Sequence, residues 1–218
     1  MTTTSARKLP DWARSMLRWA LIGAVCGAAG YAVGHFVGEA YPDDTLPVLP
    51  DLRWSDLLAL YVAFCLAVGG IFAAVTSLSP AALGKMLKLD EPATPSEISL
   101  VRWSAGLLVV TAVIMLMPPA FSLAGADPLL SLVLVAVLLG LHTLLNLRIW
   151  KVADEMLRKT TMEASVVTFW GGQIALFGWA AAERAGVAPP LTAWDIYVVL
   201  MALYLVASTV ISIRRGLA

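Results

Sequence analysis

Six long apolar runs constrain this chain more than any other feature it carries. They cover residues 17–37, 56–77, 99–118, 128–147, 164–183 and 194–213. A hydrocarbon core about 30 Å thick takes roughly 20 helical residues to cross, and each run is about that long. None contains Asp, Glu, Lys or Arg except near its ends. Backbone groups in lipid must be satisfied within the segment itself, so each run reads as a helix. The connections are short, which predicts that consecutive helices pack as antiparallel hairpins. The expected fold class is therefore all-α: a polytopic membrane helix bundle of six transmembrane helices, with residues 1–218 forming a single transmembrane domain.

Composition points the same way. Of 218 residues, 60% are hydrophobic and 14% are charged. Soluble domains carry about 45–50% and about 25%. The formal net charge is zero, which excludes a general basic field for nucleic acid. Two cysteines, Cys26 and Cys65, are too few for a disulfide scaffold or a zinc cluster.

Helix boundaries are legible in places. Thr94-Pro95-Ser96-Glu97 reads as a capping box with proline at the first helical position. Asp127-Pro128 starts the fourth run in the same way. Thr160-Thr161-Met162-Glu163 and Thr192-Ala193-Trp194-Asp195 read as two further boxes. Pro118-Pro119 is expected to stop the third run, because proline cannot donate to the helical ladder.

Basic residues set an orientation. With the N-terminus in the cytoplasm, thirteen of the fifteen basic residues fall on the inner side, and Arg53 and Arg184 on the outer. The positive-inside rule then places both termini inside, an N-in/C-in topology. Trp19, Trp103 and Trp150 would mark the inner interface, and Trp54 and Trp194 the outer one. Residues 9–18, with Trp12 and Met16 beside Arg14 and Arg18, are expected to form a short interfacial helix. A cleaved signal peptide is the competing reading of the first run. At about 20 residues that run exceeds the ~7–15 of an h-region.

The fourth run is expected to continue as a cytoplasmic helical extension over 147–159. Asp154 and Arg158, and Glu155 and Lys159, stand at i, i+4 with the acid first. The extension reads as a solvated helix end, with a docking surface as the alternative. Ser15-Met16-Leu17-Arg18-Trp19 matches Ser99-Leu100-Val101-Arg102-Trp103 weakly, and shared interface grammar accounts for it. No inverted repeat is visible.

Gly23, Gly27, Gly30, Gly34 and Gly38 line one face of the first run as a helix-packing ridge, either within the molecule or against another subunit. His142 and Asn146 share one face of the fourth run. Thr168 and Gln173 lie on the fifth, beside Gly171 and Gly172. If those two helices form a hairpin, the four residues line a small polar pocket, whose plainer reading is interhelical glue. Cys26 and Cys65 read as small core residues rather than a redox pair. His35 and Glu39 make a surface hydrogen bond rather than a metal site.

No catalytic, cofactor-binding or metal-binding set is expected. Metalloprotease, nucleophile-elbow and P-loop motifs are absent from the sequence. The two histidines lie toward opposite faces, which argues against bis-His haem ligation. The runs hold no mid-membrane carboxylate for proton transfer and no Lys or Arg for an anion.

The stretch Ala153 to Ala164, followed by an apolar hairpin ending in Arg214-Arg215, resembles uncharacterised small inner-membrane proteins of alphaproteobacteria. There an Asp-Glu-x-x-Arg stretch and a later Glu-Ala pair precede two spans. The resemblance covers about the last third of the chain. It implies a bacterial inner-membrane location and supplies no activity. The expected role is a non-enzymatic accessory or scaffold subunit, with membrane lipid and either another membrane protein or a second copy as partners. A carrier or pore for a small neutral or apolar molecule is the alternative. A lipid- or quinone-modifying enzyme comes third.

Overall fold

The computed structural model describes residues 53–216. Within them lie six helices and no strand. They are α1 (Trp54–Thr76), α2 (Pro80–Met86), α3 (Pro95–Ala124), α4 (Pro128–Val152), α5 (Glu155–Arg184) and α6 (Ala193–Arg214). Four of these, α1, α3, α4 and α6, are long and apolar enough to cross a membrane. The first predicted run, the interfacial helix at 9–18 and the glycine ridge from Gly23 to Gly38 lie outside the described residues, as do Cys26, His35 and Glu39.

Side-chain caps start α3, α4 and α6 where the sequence put them. Thr94 Oγ1 accepts from the Glu97 N–H at 3.4 Å, while Glu97 Oε2 accepts from the Thr94 N–H at 2.7 Å. Thr192 and Asp195 make the same reciprocal pair at the start of α6, at 3.3 and 2.7 Å. Asp127 Oδ1 accepts from Leu130 N–H at 2.9 Å and opens α4. Each such cap satisfies donors that the first helical turn leaves without partners.

Three boundaries differ from expectation. Pro118 and Pro119 do not end α3. The helix runs through them to Ala124 and stops at Gly125, whose φ of 58° is left-handed. Pro119 is buried, and apolar surroundings tolerate proline in a long helix because neighbouring helices hold its frame. The extension at 147–159 is not one helix either. α4 ends at Val152, Ala153 is extended (ψ 136°), and Asp154 caps a new helix by accepting from Leu157 N–H at 2.7 Å. Asp154 therefore serves the backbone instead of pairing with Arg158. Thr160 to Glu163 is no start signal, since α5 is already under way at Glu155. The Thr160 and Thr161 hydroxyls bond back to the Met156 and Leu157 carbonyls at 2.8 and 2.9 Å. α5 is not among the four helices long and apolar enough to cross a membrane, because Ser165, Thr168, Gln173 and several glycines lower the apolar content of its 164–183 stretch.

In space the helices neighbour one another in the order α4, α3, α1, α6, α5. Ala59, Val62, Ala63 and Leu66 of α1 meet Ala112 and Met115 of α3 and Val198 of α6 in the apolar core. Small residues at this seam let backbones approach closely, which is how helices bind in lipid. Gly70 is required at the α1–α3 crossing: an added Cβ would lie 2.9 Å from Val109 Cγ2 and 3.1 Å from the Ala105 carbonyl. Trp179 Nε1 donates to the Pro189 carbonyl at 2.9 Å and pins the turn between α5 and α6. The expected hairpins form between α1 and α3, α3 and α4, and α5 and α6. α4 and α5, despite the shortest connection, do not pack along their lengths.

Candidate functional site

The structure divides the expected polar pocket. His142 and Asn146 come together one turn apart on α4. Asn146 Nδ2 lies 3.3 Å from the imidazole nitrogens and donates to the His142 carbonyl at 3.0 Å. Thr168 is on α5, where its hydroxyl bonds back to the Ala164 carbonyl at 2.8 Å. Gln173 is exposed on the same helix. The α4–α5 hairpin needed to unite the four is missing, so the helices do not close a pocket around them. Asn146 is exposed, and His142 is half-buried. The pair thus stands on the outward side of an apolar helix.

A polar junction that the sequence did not reveal joins the starts of α1 and α6. Arg53 Nη2 donates to Asp195 Oδ2 at 2.8 Å, and Trp194 Nε1 donates to Asp56 Oδ1 at 2.9 Å. Asp56 also receives the Arg53 backbone N–H at 3.1 Å, and Asp195 receives the hydroxyl of Thr192 at 2.8 Å. Asp195 is fully buried, and Ser55, also fully buried, flanks its carboxyl group. Asp195 was legible as a helix-start residue, and Asp56 opens the second apolar run. Their second partners, 138 and 142 positions away in sequence, carry no local signal. Chemically this is a charge-compensated clamp between two helix ends: Asp56 and Asp195 Oδ2 are committed to donors, while Asp195 Oδ1 and the Ser55 hydroxyl are buried with no hydrogen-bond partner.

The opposite end of the bundle is basic. Every Lys and Arg among the described residues except Arg53 and Arg184 lies in its connections or adjoining turns. Arg148 of α4 sits over the Trp103 ring of α3 with its Cζ 4.9 Å from the centroid, and Arg158 sits 5.7 Å over Trp150. Arg102 donates to Ser77 Oγ at 3.4 Å and to the Ser77 carbonyl at 3.3 Å, holding α3 to the end of α1. Arg215 binds Glu163 and so holds α6 to α5. Trp103 and Trp150, two of the tryptophans expected at one interface, are stacking platforms for guanidinium groups.

Among the described residues, no group of three or more His, Cys, Asp or Glu is placed to hold a metal ion. Cys65 is a free, half-buried thiol. No protein-family model, no curated protein and no solved structure matches this chain.

Proposed function

We propose that the chain is a multi-pass protein of a bacterial inner membrane that serves as an accessory or scaffold subunit by docking another membrane helix along α4. The observation that carries this reading is a mismatch on that helix. Only 6% of the apolar stretch of α4 is buried, yet it bears the His142–Asn146 pair. In hydrocarbon this amide and imidazole have only each other and their own helix as partners, and an incoming helix with polar side chains supplies the rest of their hydrogen bonds. Such interhelical hydrogen bonds contribute on the order of 1 kcal/mol each, enough to select a partner. The proposed topology has six spans, the first within residues 17–37, with both termini in the cytoplasm. The described helices support it by segregating their basic residues to one end.

The test is recovery of partner helices after extraction in mild detergent. The double variant H142L/N146L should lower recovery of a stoichiometric partner severalfold, while the melting temperature of the chain itself changes little. Undiminished recovery would remove α4 as the docking face. Loss of a co-purifying small neutral molecule instead, with protein partners unchanged, would favour the carrier reading.

A further inference from the structure

The basic end contains one place where positive charge and an open apolar surface meet. Pro95, Ile98, Ser99, Arg102 and Trp103 line a recess along the first turns of α3. Arg148 of the neighbouring α4 stacks on Trp103. Arg102 is steadied from behind by Ser77, through donors at 3.4 and 3.3 Å. The ion pairs among the described residues are Arg53–Asp195 and Arg215–Glu163, so neither Arg102 nor Arg148 spends its charge on a carboxylate there.

Deeper along the same two helices the surface is apolar and open. Gly106 is one turn beyond Trp103, and an added Cβ there would meet nothing within 4 Å. Leu144, one turn before Arg148, is 63% exposed. A ligand matching this layout is anionic at one end, with apolar chains running parallel to membrane-length helices.

We infer that the Arg102–Trp103–Arg148 recess binds the phosphate headgroup of an anionic phospholipid, whose acyl chains lie along α3 and α4. Guanidinium groups suit phosphate because their planar forks donate two parallel hydrogen bonds. A basic pocket between membrane helices, at the end where Trp marks the interface, is where such headgroups are recognised. Arg148 leaves the Trp103 face or shares it with phosphate, while Ser77 keeps Arg102 oriented. The inference does not depend on the accessory-subunit reading, since it concerns a different face and a different ligand.

The experiment titrates the purified full chain, in neutral detergent, with dioleoylphosphatidylglycerol or dioleoylphosphatidylcholine and follows binding by native mass spectrometry. The wild-type chain should prefer phosphatidylglycerol. R102Q/R148Q should weaken that binding about thirtyfold, because each basic residue near an anionic surface contributes about fivefold. R214Q, which removes a charge at the same end but outside the recess, should leave it unchanged. The site is overturned if the two lipids bind alike, if inorganic phosphate competes as effectively as the lipid, or if R214Q weakens binding as much as the double variant. If R102Q/R148Q does not fold, acyl-brominated phosphatidylglycerol should quench a fluorescence component in the wild type that is missing in W103F. Equal quenching of both chains would also overturn the site.

Discussion

One oxygen of Asp195, Oδ2, receives the backbone N–H and hydroxyl of Thr192 and the guanidinium of Arg53. The same carboxylate therefore caps α6 and ties it to α1. Losing it removes both effects, and a cap alone contributes about 1 kcal/mol. Asp195→Ala should thus destabilise the bundle by about 2–3 kcal/mol, since charge-assisted hydrogen bonds add to the cap. Arg53→Gln should cost about 1 kcal/mol or less, because the arginine side chain is 48% exposed and water replaces much of its role. Thermal unfolding in detergent checks both, and equal losses would show that the cap contributes nothing beyond the ion pair. The pairing was invisible in sequence because a capping aspartate looks the same whether or not an arginine reaches it from another helix.

At the scale of elements, local chemistry was readable and tertiary chemistry was not. The Thr94–Glu97 and Thr192–Asp195 boxes and the Asp127 cap stand where the sequence put them, since a cap is decided within four residues. Pro118-Pro119 misled because a proline ends a helix only if nothing else supports the frame, and burial of Pro119 is a tertiary fact. Thr160-x-x-Glu163 misled for the converse reason: a threonine inside a helix bonds back to its own preceding turn. Asp154 met the same ambiguity, as either an i, i+4 partner or a cap, and the extended Ala153 before it decided for the cap. Helix-to-helix fit can be tested through glycines. Gly70→Ala should cost about 1–3 kcal/mol of bundle stability, because its Cβ would press on Val109 and on the Ala105 carbonyl. Gly178→Ala, where an added Cβ meets nothing within 4 Å, should be neutral or stabilising by up to about 1 kcal/mol. Denaturation midpoints in detergent should separate the two, and matched effects would discount the α1–α3 crossing.

For the molecule as a whole, hydropathy identified the class of solvent, while the arrangement of helices lay beyond it. Five of the six predicted runs coincide with described helices, and four of those meet the standard for crossing a membrane. The polar pocket failed because α4 and α5, neighbours in sequence, occupy opposite ends of the helix order. No apolar pattern encodes which helix lies next to which. The proposed topology makes a direct prediction: a reporter fused after Asp90 should read as cytoplasmic, and one fused after Ala126 as external. Both fusions on one side would refute it.

The Arg53–Asp195 bond spans 142 positions, and it has a consequence in time. Ribosomal synthesis runs from the N-terminus, so α1, α3 and α4 exist before α6 does. Until α6 emerges, the flank of α1 that receives Val198 lacks that partner. The final helix made among those described is thus the one that closes the assembly. A chain halted after α5 would hold its earlier helices in the bilayer with an unsealed side, a natural target for quality-control proteases.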